Sequence, residues 1–511
     1  MVLQKTNKTV LNSDDILKHI EEHEIKIVPH LDLLWEYYKG KNTKILLRPI
    51  PDQNSPDNKV IVSYAKKIIT TYTGYGYRPK YITYKPNVKK TSKEIENTEN
   101  DVSPKAKEDP VEKKFCNDIQ AIYNSNNEHI KTNRAGRNIA IFGLSYELLY
   151  IDSEYSKETL SMKAIPRFFT IDPREMIALY DFEPEPKIVM AIRYYKMMSD
   201  NEYKVEVYYK DKMVPYIRYR ESNNQTKWLL KPDGEESPNY YSDVPIIAYY
   251  RGDEIQSIVE NVLTLINAYD VLMSDSMNEF DRFAFAYMIM KKISLTSPVD
   301  KKDPIKSNNA LKELKRRRVF EGLDKDADVK FLTKDIPTRF IQYMALKLKE
   351  EIHLQSHVPD FTMLTGALSG AAIDRLLFDF ENLVSSDEAD FDVALIRRGQ
   401  LITELLIKLN RLSNEVDFGT MINIQHKRNL PLDKNNYATL ALTLSSGGFS
   451  RRMIVSQMPE DMVPDVEAEL EEEKKEQEAL VSNSVENNDL TEYDEEGNPI
   501  VEDENKSEGV E

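Results

Sequence analysis

From Asp253 onward the apolar positions settle into a helical rhythm. Ile255, Ile258, Val262, Leu265, Ile266 and Tyr269 recur at spacings of three and four, which places them on one face of a helix. The pattern persists to about residue 290 and predicts an element roughly 50 Å long. Two more follow: one over 337–357, with Pro337 at its permissive first turn, and a very long one over about 369–412, expected to bend near Ser385 and Ser386. Residues 13–40 carry the same rhythm, with Ser13 as N-cap and acidic residues in the first turn. Residues 58–84 begin as a helix and pass through the stretch TGYGY (73–77), read as a turn, into an extended Tyr-rich piece. Residues 113–150 read as two helices leading into a strand. Between 163 and 250 the period falls towards two, as in YKVEVYYKDKMVPYIRYR, and a mainly β region is expected. VDFGTMINIQHKRNLP reads as a further strand, followed by short helices over 434–480. The polar stretch 85–112 is expected to be a mobile loop, and the composition beyond residue 481 is that of a disordered tail. No internal repeat is present, and the fold class expected is α+β, mainly helical.

Charge changes the picture only once it is located. The formal net charge is −17, but residues 465–511 hold 19 acidic against three basic side chains, so the other 464 residues sum to about −1. A near-neutral body speaks against a tight, static DNA binder, whose affinity would come from many phosphate contacts. The 511 residues are enough for several domains, and 41% hydrophobic with 30% charged residues is ordinary for a soluble protein. No run of about 18 apolar residues occurs and the start has no apolar signal stretch, so the chain is expected to stay in the cytoplasm with no membrane association. The single Cys116 has no disulfide partner and is expected to be buried and inert.

Candidate chemistry is thin. SSDEADFD (385–392) spells the magnesium-binding carboxylates of a helicase family, but no phosphate loop of the form GxxxxGK[ST] accompanies it, and a helix surface is the expected setting. His353 and His357 stand four apart, the spacing for one helical face, yet Leu354 occupies the position where a zincin carries Glu and no third ligand is evident. LKELKRRR (311–318) gathers Lys312, Lys315, Arg316, Arg317 and Arg318 as a contact for phosphates or an acidic partner, or as a solvated helix face. Nothing assembles a nucleophile with its base, so no catalytic residue, metal or cofactor is expected. HVPDFTMLTGALSGAAID (357–374) is unusual for a connection between helices, being apolar and glycine-bearing.

The order of these elements, more than any motif, resembles the portal proteins of tailed bacteriophages, in the branch common in long-tailed phages of Gram-positive bacteria. NKVIVSYAKKIITTYTGYGYRPKY is similar to that family's early helix and strand. NIAIFGLSYELLYID with FTIDPREMIALYD and IVMAIRYYK resembles its wing, and DVPIIAYYRGDEIQSIVENVLTLINAYDVLMSDSMNEFDRFAFAYMIM resembles the approach to its first stem helix. HVPDFTMLTGALSGAAI and HKRNLP resemble its tunnel-loop region and a later strand. The resemblance covers about residues 45–470, in order.

The resemblance implies a ring of identical subunits, around twelve in the virion and around thirteen in isolation, at one capsid vertex, with double-stranded DNA passing through it during packaging and ejection. Terminase, major capsid and scaffolding proteins, and later head-completion or tail-adaptor proteins, would be its partners, with assembly in the host cytoplasm. Residues 1–44 would be an N-terminal helical segment and 45–253 the wing. The stem would comprise 254–290 and 337–357, with the clip at 291–336 and the tunnel loop at 358–371. A long wing helix and strand (372–433), a crown (434–480) and an acidic tail (481–511) would complete the chain. Phe361, Thr362, Met363, Leu364, Thr365, Gly366 and Gly370 would then face the channel, and Lys312, Lys315, Arg316, Arg317 and Arg318 would be a clip contact with DNA, terminase or adaptor. An uncharged loop suits sliding of a polyanion, because each neutralised phosphate adds affinity. A packed helix connection with Phe361, Met363 and Leu364 buried remains open. So do a magnesium-dependent nucleic-acid enzyme using the 387–392 carboxylates and a virion scaffold or adaptor without a channel.

Overall fold

Pro29 divides the first predicted helix in two. After β1 (Gln4–Lys5), α1 (Ser13–Lys26) gives way at Ile27 to α2 (Val28–Tyr38), because in a continuous helix the proline ring would strike the carbonyl of Ile25. The N-cap is Asn12 and not Ser13. Its side chain accepts from the Asp15 amide at 2.8 Å, and the Asp15 carboxylate accepts from the Asn12 amide at 3.3 Å. Next come α3 (Thr43–Leu46), α4 (Tyr64–Gly76) and β2 (Ile82–Pro86). The TGYGY stretch does not turn. Burying Tyr72 and Tyr75 outweighs the helix cost of two glycines, so α4 continues through Gly76, where a Cβ would come within 2.8 Å of Val384.

The computed structural model describes residues 4–50, 56–80, 82–87, 110–156, 161–197, 202–221, 224–284, 287–291, 328–332, 338–364, 370–428, 434–458, 462–463, 466 and 468–475. The expected loop over 85–112 falls mostly, and the acidic tail entirely, outside these residues. The chain divides into two units, 1–429 and 430–511.

As expected, two helices, α5 (Pro110–Ser125) and α6 (Glu128–Phe142), lead into β3 (Leu144–Ser156). Gly143 ends α6 at φ +80°, and a Cβ there would lie 2.7 Å from the backbone of Ile255, so only glycine fits. The β region follows as β4 (Ser161–Ile171), β5 (Met176–Tyr180), β6 (Ile188–Lys196), β7 (Glu202–Tyr208), β8 (Lys212–Glu221), β9 (Asn224–Pro232), β10 (Ser237–Pro238) and β11 (Ile246–Tyr250). Strand β3 is central in a three-stranded sheet ordered β11-β3-β4. The larger sheet runs β1-β5-β6-β7-β8-β10, with β9 also on β8, and only β1 joins in parallel.

The long pattern after Asp253 is helical only from Leu263. Ile255 sits at φ +51°, and the Ile258 amide and Ser257 hydroxyl both donate to the Ala140 carbonyl at 3.2 and 3.0 Å. Ile255 and Ile258 are buried as the spacing implied, but by a turn docked on α6 instead of by a helix, while Leu265, Ile266 and Tyr269 fall within the helix itself. Helix α7 (Leu263–Ala284) is therefore 22 residues, about 33 Å, and gives way to β12 (Tyr287–Lys291), which pairs antiparallel with β13 (Asp328–Leu332). The chain returns through α8 (Thr338–Ser356), whose Gln355 carbonyl accepts from Asn261 at 2.6 Å, so α7 and α8 are antiparallel. Helix α9 (Gly370–Lys408) runs through Ser385 and Ser386 as one 39-residue element. After α10 (Phe418–Met421), β14 (Ile422–His426) pairs with β2.

Two cores result. The larger gathers α2, α4, α5, α6, β3, β11 and one face of α9. The smaller lies between α1 and one face of the large sheet, where Ile16 and Ile20 meet Ile177, Leu179, Met190, Ile192, Val205 and Val207. The second unit contains α11 (Lys434–Ser446), α12 (Arg451–Ser456) and a helical stretch over 468–475, where Arg451 pairs with Glu473 at 3.0 Å. Among the described residues no helix is long and apolar enough to cross a membrane.

Candidate functional site

The antiparallel arm and the segment leaving it form the candidate site. The chain goes out along α7 and β12 and comes back along β13 and α8. The face of α8 towards α7 carries Ile341, Met344, Leu348 and Ile352, whereas Phe340, Tyr343 and Leu346, at intervals of three, are 60%, 62% and 62% exposed. Phe280 and Met277 of α7 are exposed as well. Three large, mostly apolar side chains in one exposed row make a patch of the kind that marks an interaction surface.

Helix α8 ends at His357 in the left-handed region, φ +56°. His353, buried, donates from Nδ1 to the Val358 carbonyl at 2.9 Å and stands edge-on to Tyr64. Burial pushes its imidazole below the ordinary value, and the two histidines of the predicted pair do not share a helical face. Two residues on, the Asp360 carboxylate is enclosed. Lys67 of α4 reaches its Oδ1 at 2.9 Å, Lys349 of α8 lies 2.5 Å from Oδ2, and Thr362 donates to Oδ1 from its amide at 3.2 Å and its hydroxyl at 2.8 Å. Phe361 to Leu364 then form a single 3-10 turn, with Phe361 partly buried against the larger core and Thr362 exposed. Gly370 opens α9. Thr365, Gly366 and the side chains of Met363 and Leu364 lie outside the described residues. So do Lys312, Lys315, Arg316, Arg317 and Arg318.

Of the four carboxylates of SSDEADFD, Asp390 is exposed on the helix surface as expected and Asp392 partly so, whereas Asp387 and Glu388 are buried. Phe380, Val384, Phe391 and Leu395 form the buried stripe of α9, and Asp387 and Glu388 fall on it at spacings of three and four from Val384 and Phe391. Each meets a donor. Asp387 accepts from Arg251 Nε at 2.9 Å and from the Tyr72 hydroxyl at 2.6 Å, and burial nonetheless raises its carboxyl above the ordinary range. Glu388 and Glu381 clamp the guanidinium of Arg428, with contacts from 2.5 to 2.9 Å. His426 lies between Glu388 at 3.3 Å and Asp392 at 2.8 Å. Burial would lower its imidazole, but the hydrogen bond to Asp392 and the Glu388 carboxylate beside it raise it to about 9. With its acidic groups so engaged, this stripe holds α4, β11 and β14 on α9. Among the described residues no group of three or more His, Cys, Asp and Glu is arranged to hold a metal.

One turn further along the same stripe is a residue that sequence reasoning passed over. Arg398 is fully buried and donates to Glu128 at 2.7 Å, Tyr84 at 2.8 Å, Thr132 at 3.1 Å and Glu147 at 3.5 Å, linking α9 to α6, β2 and β3. Its position was a usable signal, since Arg398 stands three and four residues from Leu395, Leu401 and Ile402, on the apolar face. Cys116 is buried as expected, with its thiol 3.4 Å from the Tyr84 carbonyl.

Comparison with known proteins gives two findings. A family model described as "Phage portal protein, SPP1 Gp6-like" matches residues 17–482. The portal protein of Bacillus phage SPP1 is 22% identical over 257 residues, 48% of this chain and 47% of that protein, so this chain spans about half the length of that curated relative.

Proposed function

The chain belongs to the SPP1 Gp6-like family of phage portal proteins, and from that membership we propose that it closes into a homo-oligomeric ring at one vertex of a phage capsid. Double-stranded DNA passes through the ring during packaging and ejection, terminase docks during packaging, and head-completion proteins dock later. Residues 45–253 serve as wing, the α7–α8 arm as stem, 291–336 as clip with its basic run 312–318 as contact, 358–371 as tunnel loop and 434–480 as crown. The role is structural, not catalytic, and the site of action is the virion, after assembly in the host cytoplasm.

The observation that carries this proposal is the family match over residues 17–482, nearly the whole chain. The open apolar row on α8 agrees with it. A ring of like subunits needs two different complementary faces on each copy, and Phe340, Tyr343 and Leu346 supply material for one. The near-neutral body agrees as well, since passage of a polyanion calls for weak phosphate attraction.

The test is negative-stain imaging with native mass on the purified protein. Rings with a central hole are expected, and the double variant Tyr343→Asp/Leu346→Asp should give folded subunits whose ring population drops about tenfold or more, because burying two carboxylates at a contact is strongly unfavourable. Rings from the variant in wild-type yield would remove α8 from the subunit contact. A wild-type protein that never forms rings, yet shows magnesium-dependent nuclease or ATPase activity lost in Asp387→Ala, would overturn the proposal as a whole.

A further inference from the structure

The node around Asp360 has features that ending a helix does not require. The last carbonyls of α8 already have donors: the His353 carbonyl accepts from the Ser356 hydroxyl at 3.2 Å, that of Leu354 from the His357 amide at 3.2 Å, and that of Gln355 from the Asn261 side chain at 2.6 Å. Asp360 adds no partner for α8's last carbonyls. Its contacts run between three separate parts of the chain: α4 through Lys67, α8 through Lys349, and the departing segment through Thr362. Its side chain is only 4% exposed. Burial by itself would raise the carboxyl, and the ion pair to Lys349 together with the hydrogen bonds from Lys67 and Thr362 overcomes that and holds it well below the usual carboxylate range.

The charge count matters too. One carboxylate faces two ammonium groups, so the node is held by attraction only while that carboxylate is ionised. Without the negative charge, two cations would confront each other where the segment begins, and attraction would become repulsion. A neutral residue of the same shape therefore changes the node far more than it changes the packing.

We propose that Asp360 is a positioning residue for DNA passage: by holding Lys67 and Lys349 together it fixes where the segment after α8 departs, and it transmits load on that segment into α4 and α8. This rests on the portal proposal above.

The test uses the full chain in three forms: wild type, Asp360→Asn, and the exchange Lys349→Asp/Asp360→Lys. The exchange keeps one carboxylate and two ammonium groups in the node, so it restores the charge count but not the Thr362 bonds. Ring formation is read by imaging, amide exchange is followed over 358–364, and DNA-filled heads are counted after complementation of a phage lacking its portal gene. Asp360→Asn is expected to form rings with faster exchange over 358–364 and about tenfold fewer filled heads. The exchange variant should return to within about threefold of wild type. Normal head filling by Asp360→Asn would overturn the proposal. So would loss of rings in both variants, which would make the node a folding contact only. Wild-type rings that fill no heads would instead sink the portal proposal, and this one with it.

Discussion

His426 shows how a single side chain can be set by what surrounds it. With Glu388 and Asp392 on either side and Arg428 sharing Glu388, its imidazole is raised to about 9 from an ordinary value near 6.5. A group whose folded value is raised contributes stability that is complete below about pH 6.5 and is lost as pH climbs through about 9. His426→Gln should therefore cost about 2–3 kcal/mol near pH 6.5 and little near pH 10. Denaturant midpoints of both proteins at the two pH values check this, and an equal gap at both would mean that His426 is not charged in the fold. His23 runs the opposite way. Burial against Tyr194 pushes its imidazole down to about 4, so its contribution is complete above about pH 6.5 and is lost as pH falls towards 4. Neither environment was legible in the sequence, because the partners of both histidines are distant in the chain or belong to another element.

Among elements, α9 was the most legible and the most misjudged. Its length and apolar stripe were evident from spacing alone, while Asp387 and Glu388 looked like surface charge because charged residues usually are, and Arg398 was passed over. They sit on the stripe itself, and the period that located the core also located them. The element after Asp253 failed for a different reason. Ile255 and Ile258 are buried, but the positive φ of Ile255 and the bonds to Ala140 place them in a turn, a tertiary contact that no local pattern records. Helix α1 belongs with α9 in using a buried charge to dock. Arg218 of β8, fully buried and stacked on Trp228, pairs with Glu24 of α1 at 2.6 and 2.8 Å. Glu24→Ala leaves that guanidinium without its carboxylate and should cost about 2–3 kcal/mol, discounted because Glu24 itself is partly exposed. Hydrogen exchange should show α1 opening while the larger core stays protected. Unchanged protection of α1 would show that its apolar face alone suffices.

For the whole molecule, the location of charge says more than its sum. The acidity is concentrated beyond residue 465, and the body ahead of it is close to neutral. Duplex DNA should therefore bind the purified protein weakly, with Kd on the order of 10⁻⁴ M or weaker at 150 mM salt and a shallow salt dependence. Filter binding or electrophoretic shift over a salt series measures both, and sub-micromolar affinity at that salt would contradict a low-attraction channel. The α+β class and the order of elements were readable from the chain. The two cores were not, since only the fold shows that α1 covers one face of the large sheet while α2 joins the larger core on its other side.

The clamp on Glu381 and Glu388 also bears on synthesis. Both carboxylates belong to α9, but the cations that meet them, His426 and Arg428, are translated some forty residues later, at the last strand of the first unit. A polypeptide that stops on the ribosome before residue 426 would have to bury Glu388 with no cation beside it and would lack the strand that pairs with β2. Such a fragment is marked as unfinished by its own interior. Prematurely terminated copies would be excluded from assembly by instability, without any need for the finished subunits to recognise them.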